Sequence, residues 1–180
     1  MNYFEALELP ESLSLDPKDL ENRFYAQSRK WHPDRFARAS AAEQQTALDT
    51  SAVLNDAYRT LRDPAARAVY VLKLHGIDVG EGSKQEVPPE LLEEVFELNM
   101  TLEELKMGDT DALPQLRAAK DKFLTMMTTM YTELEGLFDK WDKSHNAATL
   151  AAIKSLLQRR KYIANLVRET EKTLENHVSD

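Results

Sequence analysis

Apolar residues recur along this chain at steps of three and four positions, which is the spacing that one face of an α-helix requires. Five glycines and seven prolines are too few for many hairpins and short strands. The sequence therefore predicts an all-α fold. The predicted helices cover a short opening segment from Tyr3 to Leu9, then 16–31, 43–61, 64–75, 90–106, 112–142 and 147–176.

Local signals define the N-terminal helices. Asp16 is a predicted N-cap, Pro17 suits the first helical position, and Pro33 should end the first long helix at His32. The helices 16–31 and 43–61 are expected to pack antiparallel, with the short helices closing their core. The residues expected to face this core are Leu20, Phe24 and Trp31, with Gln27 interrupting them, then Leu48, Ser51, Leu54, Tyr58, Leu61, Val69 and Leu72.

One segment lacks any helical period. Residues 76–89 hold three of the five glycines, which predicts a linker between an N-terminal domain, 1–75, and a C-terminal domain, 90–180. The three helices of the second domain predict a three-helix bundle. Their expected core positions are Leu116, Ala119, Phe123, Met126, Met130, Leu134, Leu137 and Trp141, then Ile153, Leu156, Ile163, Val167 and Leu174.

The helix predicted at 90–106 carries two apolar stripes. The first comprises Leu91, Val95, Leu98, Leu102 and Leu105. Leu92, Phe96 and Met100 form the second, rotated by about 100 to 180° from the first. The second stripe either packs under the N-terminal domain or widens the core face, or it is an exposed docking patch flanked by glutamates.

The formal net charge of −8 argues against a general nucleic-acid-binding protein. The charge is unevenly placed, since Arg23 to Arg38 contains five basic residues and one acidic residue, whereas Glu86 to Asp111 contains nine acidic residues and one lysine. Two surfaces of opposite sign indicate two different partners. Without cysteine there is no disulfide, thiolate nucleophile or cysteine-ligated metal, and no apolar run is long enough for a membrane span. A cytoplasmic protein is expected.

The segment RKWHPDRF, residues 29–36, is the candidate for chemistry. His32 and Asp34 could act as a base and its orienting group, but no serine, threonine or cysteine is identifiable as their nucleophile. The other three histidines form no metal-ligand cluster with His32. A helix-end histidine that only caps or packs is the plainer alternative, and a docking loop is the third.

The sequences on either side of this segment favour the docking loop among these three alternatives. Residues 1–75 resemble a J domain, with a basic second helix, then His32-Pro33-Asp34 in a loop, then a third-helix pattern. The matching positions of that pattern are Asn55, Ala57, Tyr58, Leu61, Asp63, Pro64, Arg67 and Tyr70. The opening NYF, the WHPDRF segment and VYVLKLHGID leading into an acidic, leucine-rich bundle are similar to HscB-type co-chaperones of iron–sulfur cluster assembly, of the bacterial kind.

The resemblance implies two binding surfaces and no catalytic residue, metal or cofactor. The first would dock on an ATPase chaperone of the DnaK/HscA class through His32, Pro33, Asp34, Arg23, Arg29, Lys30 and Arg35. The second would bind an iron–sulfur scaffold protein of the IscU class through Leu92, Phe96, Glu97 and Met100. Neither nucleic acid nor membrane is an implied partner. A general J-domain co-chaperone that holds many unfolded polypeptides is the alternative.

Overall fold

The computed structural model describes residues 1–80 and 86–178, and within these ranges every regular element is helical. The all-α prediction is confirmed. The helices are α1 (Tyr3–Ala6), α2 (Pro17–Lys30), α3 (Ala41–Leu61), α4 (Pro64–Leu74), α5 (Leu92–Lys106), α6 (Leu113–Ser144) and α7 (Ala147–Val178). Short 3₁₀ turns occupy Pro33–Phe36, Pro89–Leu91 and Thr110–Ala112.

Two compact units share this chain. The first unit is Met1–Asp78 with Phe138–Thr149, and the second is Val79–Leu137 with Leu150–Asp180. Part of the linker predicted at 76–89 falls on residues 81–85, outside the described residues. The domain boundaries drawn from sequence stay predictions. No helix of the described residues is long and apolar enough to cross a membrane.

Side-chain caps set the helix starts in the first unit. The Asp16 carboxylate accepts a hydrogen bond from the backbone N–H of Asp19 at 3.1 Å, as expected for the N-cap of α2. Helix α3 begins at Ala41, two residues earlier than predicted, because Ser40 and Glu43 form a capping box. Hydrogen bonds from the Ser40 hydroxyl and backbone N–H lower the pKa of the Glu43 carboxyl.

Alanines take several core positions that larger residues were expected to fill. Leu48 and Val69 are exposed, and these two predictions were wrong, whereas the neighbouring Ala47 and Ala68 are fully buried. A small side chain lets two helix backbones approach closely, so the buried face turns toward the alanine. The buried apolar residues of the first unit include Phe4, Leu7, Leu13, Leu20, Ala47, Leu54, Ala57, Leu61, Ala68, Val71, Leu72, Phe138 and Trp141.

The end of α6 is part of the first unit's core. The Arg67 guanidinium donates to the Leu61 carbonyl at 2.7 Å and lies 5.9 Å from the centre of the Phe138 ring. The His75 ring lies edge-on to Trp141, with ring centres 5.6 Å apart, and its Nε2 lies 2.7 Å from the Glu11 carboxylate. These contacts tie α4 to the residues that connect α6 with α7.

The second unit is the predicted three-helix bundle of α5, α6 and α7. Most expected positions are buried, although Ala119, Met126, Leu137 and Leu174 are only half-buried and lie at the edge of the core. Its buried apolar residues include Leu98, Leu102, Leu105, Leu116, Phe123, Met130, Leu134, Ile153, Leu156, Ile163 and Val167. Ion pairs tie α5 and the 3₁₀ turn before it to the other two helices, with Glu94 of α5 lying 3.2 Å from Lys122 and Glu90 of the turn lying 3.0 Å from Arg159.

Candidate functional site

The His32-Pro33-Asp34 segment forms a compact turn at the end of α2. Nδ1 of His32 accepts a hydrogen bond from the Asp34 backbone N–H at 3.3 Å, so His32 caps the 3₁₀ turn Pro33–Phe36. The Asp34 carboxylate lies 3.6 Å from the same ring nitrogen. Both side chains are exposed. The turn therefore presents an imidazole and a carboxylate to solvent in a fixed backbone geometry.

Two further contacts hold this turn against its surroundings. The Trp31 and Phe36 rings stack with their centres 5.8 Å apart and their planes within 4°. The Arg35 guanidinium donates to the Arg29 carbonyl at 3.3 Å, at the end of α2 where carbonyls lose their helical partners. These two contacts hold the His32-Pro33-Asp34 turn in place within the unbound chain.

The structure separates the predicted basic residues into two groups. Arg29 and Arg35 line one surface groove together with His32. Arg23 instead donates to the Glu8 carbonyl and to the Asp19 carboxylate, and the Lys30 ammonium lies 3.9 Å from the Glu8 carboxylate. Arg23 and Lys30 thus have acidic or carbonyl partners within the first unit.

Three residues of this groove were not among the predicted site residues. Asn22, Tyr25 and Ser28 complete its lining, and the Tyr25 ring is exposed. The series Asn22, Tyr25, Arg29 and His32 has steps of three and four, which places it on one side of α2. An exposed aromatic residue at that spacing beside arginines was the signal that could have identified the groove.

The second candidate surface lies on α5. Leu92, Phe96 and Met100 are 56%, 65% and 51% exposed, so they do not widen the core face of the bundle. Glu97 is exposed beside them. We call these four residues the α5 patch. Its apolar members cost free energy when they face water, which favours their burial by a partner.

The described residues, which include both surfaces, contain no group of three or more histidine, cysteine, aspartate or glutamate side chains arranged to hold a metal ion. The groove that His32 lines also contains Tyr25 and Ser28, and it is an open surface groove rather than an enclosed pocket. Both surfaces present exposed side chains that a partner protein can contact.

Known proteins match the chain in both units. A family model described as "HSCB C-terminal oligomerisation domain" matches residues 87–171, and one described as "DnaJ domain" matches residues 2–70. Two proteins named "Co-chaperone protein HscB homolog", from two strains of Vibrio cholerae serotype O1, are each 35% identical over 172 residues, which is 96% of this chain and 96% of theirs.

Solved structures of HscB proteins are also similar to this chain. The chaperone HscB from Vibrio cholerae shares 33% identity with a TM-score of 0.64, over 99% of both chains. Human co-chaperone protein HscB shares 25% identity with a TM-score of 0.64, over 95% of this chain and 81% of that one. The ranges matched by the two family models, 2–70 and 87–171, contain the residues of both candidate surfaces.

Proposed function

We propose that this chain, which belongs to the HscB family of J-domain co-chaperones, stimulates ATP hydrolysis by a DnaK/HscA-type chaperone. It also delivers an iron–sulfur scaffold protein of the IscU type to that chaperone. A co-chaperone of this family is not an enzyme, and a J domain implies a heat-shock ATPase chaperone as its partner. Such a protein acts by binding one state of the chaperone better than another. The cluster is cargo of the scaffold, and we place the exchange in the cytoplasm.

The chaperone surface consists of the His32-Pro33-Asp34 turn and the adjacent basic residues. Asp34 is the group we assign to a charged hydrogen bond with the chaperone, because its carboxylate is exposed and Pro33 restricts the backbone that carries it. Arg29 and Arg35 line the groove beside His32 and would meet an acidic surface. Such rim charges contribute mainly to the rate and orientation of encounter.

Arg23 and Lys30 belong to the same positive face, but we assign them a different contribution to binding. Both lie near Glu8 or Asp19, which offsets their charge locally. We assign them to long-range attraction of the acidic chaperone surface rather than to a direct contact. Tyr25, exposed in the groove, supplies apolar area that the charged residues lack.

The scaffold surface is the α5 patch. Its three apolar side chains supply area to bury, and Glu97 with the neighbouring acidic residues of α5 restricts the partner to one of suitable charge. The large exposed ring of Phe96 makes it the best candidate for the residue that dominates affinity.

One observation carries this proposal: His32 and Phe96 lie in different compact units. A chain with two separate binding surfaces holds one partner at a high effective concentration near the other, and neither contact has to be tight. The scaffold would thereby reach the chaperone as a delivered substrate.

The test is the steady-state ATPase rate of an HscA-type chaperone with this protein, in the presence and absence of an IscU-type scaffold. Stimulation by the protein alone that rises severalfold with scaffold would support delivery. Stimulation that is indifferent to scaffold would support a general co-chaperone for unfolded clients. No stimulation under either condition would contradict the chaperone assignment itself.

A further inference from the structure

Glu8 has a backbone conformation that glutamate rarely adopts. Its φ is 55°, in the left-handed region. It lies just after α1, where the backbone N–H of Leu9 donates to the Phe4 carbonyl at 2.8 Å and that of Glu8 donates to the Glu5 carbonyl at 3.0 Å. These two hydrogen bonds form a Schellman motif, and Glu8 has the position in it that glycine usually takes.

The residues on either side hold Glu8 in this conformation. Leu7 and Leu9 are both buried in the first unit, so the backbone between them has little freedom to change. In the left-handed region a Cβ atom lies too close to the following carbonyl oxygen, a conflict that glycine does not have. Glutamate therefore costs the first unit stability that glycine would not.

Glu8 also contacts the basic side of α2 at two points. The Lys30 ammonium lies 3.9 Å from the Glu8 carboxylate, and the Arg23 guanidinium donates to the Glu8 carbonyl. The two basic residues are seven positions apart, which places them on one side of α2 and about 10 Å apart along its axis. Both belong to the positive face that we assign to the attraction of the chaperone. The Glu8 carboxylate adds a negative charge to that face.

Stability does not account for a glutamate at this position. The Glu8 and Lys30 side chains are 62% and 61% exposed. An ion pair this exposed contributes little to stability, because water already solvates and screens both charges. The pair therefore does not offset the cost of the backbone conformation. The effect that remains is the one on the charge of the docking face.

We propose that Glu8 limits the rate of chaperone docking by offsetting positive charge on α2, an inference that rests on the proposed function of the His32 surface. The Glu8 carboxylate lowers the positive potential around Lys30 and Arg23, so an acidic chaperone surface is attracted less strongly. With this residue the chain has both a lower stability and a lower docking rate than glycine would give it. One substitution should therefore raise both quantities, although most substitutions destabilise a protein.

Two substitutions separate the charge of Glu8 from its backbone conformation. Glu8→Gln removes only the charge, so it should raise the association rate with an ATP-bound HscA-type chaperone about threefold at about 10 mM salt. Glu8→Gly also relaxes the backbone, so it should raise the association rate by the same factor and Tm by about 3 °C. Stopped-flow association and thermal unfolding of the full chain measure the two effects.

Asp49→Asn is the matched control for net charge. Asp49 is exposed on α3, where its carboxylate accepts a hydrogen bond from the uncharged Gln45 amide at 2.8 Å. The same change of net charge at this position should leave the association rate close to that of the wild type. At about 1 M salt, where the Debye length is about 3 Å, Glu8→Gln should also match the wild type.

The possible results distinguish this inference from the proposed function. If the wild-type chain binds the chaperone as fast as Glu8→Gln does, the inference is overturned and the proposed function stands. Equal gains in rate for Glu8→Gln and Asp49→Asn would overturn it as well, because net charge alone would then explain the effect. A Glu8→Gly chain that melts below the wild type would contradict the cost of the glutamate. A wild-type chain that does not bind the chaperone would overturn both the inference and the proposed function.

Discussion

The Asp142 carboxylate accepts a hydrogen bond from the Leu13 backbone N–H at 2.8 Å, although 129 positions separate the two residues in the chain. The same carboxylate accepts from the Ser12 hydroxyl at 2.7 Å and from the Ser14 backbone N–H at 2.8 Å. One side chain near the end of α6 thus fixes the loop that leads into α2. The Leu13 side chain is fully buried below it.

We expect Asp142→Ala to destabilise the first unit by about 2 to 3 kcal/mol, because it leaves three donors without their acceptor. Urea denaturation followed by circular dichroism measures the loss. Asp139→Ala is the matched control, since among the described residues that carboxylate accepts a hydrogen bond from one side chain, the Ser14 hydroxyl at 2.6 Å, and its loss should cost less than about 1 kcal/mol. Equal losses in the two variants would contradict a specific role for Asp142.

His32→Gln should abolish stimulation of the chaperone ATPase and leave scaffold affinity unchanged, because His32 and the α5 patch lie in different units. The ATPase assay and a calorimetric titration with scaffold measure the two effects. His177→Gln is the control, since its ring forms a hydrogen bond with the Thr173 carbonyl of its own helix, at 2.8 Å and in the second unit, and it should keep full stimulation. Residual stimulation by the His32 variant near the wild-type level would remove this residue from the chaperone surface.

Phe96→Ala should lower scaffold affinity by about 2 kcal/mol or more while leaving chaperone stimulation without scaffold intact. The reason is that its ring is 65% exposed on α5 and has the largest apolar area of the patch. Met107→Ala removes a comparably exposed side chain just after α5, outside the patch, and should have little effect. A nearly neutral result for Phe96 would exclude the patch as the centre of the scaffold interface.

Raising the ionic strength should weaken chaperone binding more than scaffold binding. The chaperone surface relies on exposed basic side chains, whose attraction over distances beyond about 10 Å is screened at 0.1 M salt. The α5 patch relies mainly on apolar area, which salt does not screen. Affinities measured across a salt series give the two slopes. Equal slopes would show that the charged residues near His32 do not contribute as proposed.

Acid should weaken the second unit through Glu94. A hydrogen bond from its own backbone N–H, together with the Lys122 ammonium, lowers the pKa of this carboxyl below its ordinary value of 4.5. A carboxyl with a lowered folded-state pKa stabilises the fold above its unfolded pKa, and that contribution disappears as the pH falls through the folded value. We therefore expect Glu94→Gln to reduce stability at pH 7 and to make the acid loss below pH 4.5 less steep.

Thermal melts from neutral to acid pH measure this dependence. Glu93→Gln, at an exposed neighbouring position of α5, should leave its steepness unchanged. A Glu94 variant whose stability falls with acid as steeply as that of the wild type would show that the lowered pKa of this carboxyl does not contribute to stability.

The sequence predicted most of the secondary structure because caps, prolines and apolar spacing are local signals. Asp16 and Pro17 begin α2 as expected, and Leu98 and Leu102 face the core of the second unit. It failed at Leu48, which the three- and four-residue spacing of apolar positions selected, whereas the adjacent Ala47 is the buried residue. Which of two neighbours is buried depends on how closely another helix approaches, and that distance is a property of the packed structure.

For the candidate site, too, the sequence predicted the residues that local signals mark and missed the others. The turn at His32 was predicted because its motif is contiguous. Exposure of Phe96 was one of the alternatives that the sequence left open, because α5 has more apolar residues than one face can bury. Tyr25 was missed because its ring departs from the apolar stripe of α2 and no motif marks it. Asp142 was missed because its partners lie at the other end of the sequence.

The division of the chain into units has a consequence for synthesis on the ribosome. The polypeptide passes between the two units three times, after Asp78, after Leu137 and after Thr149. The residues that complete the first unit, Trp141 and Asp142 among them, are translated only after most of α6. The ribosome therefore releases Met1–Asp78 well before Phe138–Thr149, and the first unit has all its residues only once α6 and the start of α7 have been translated.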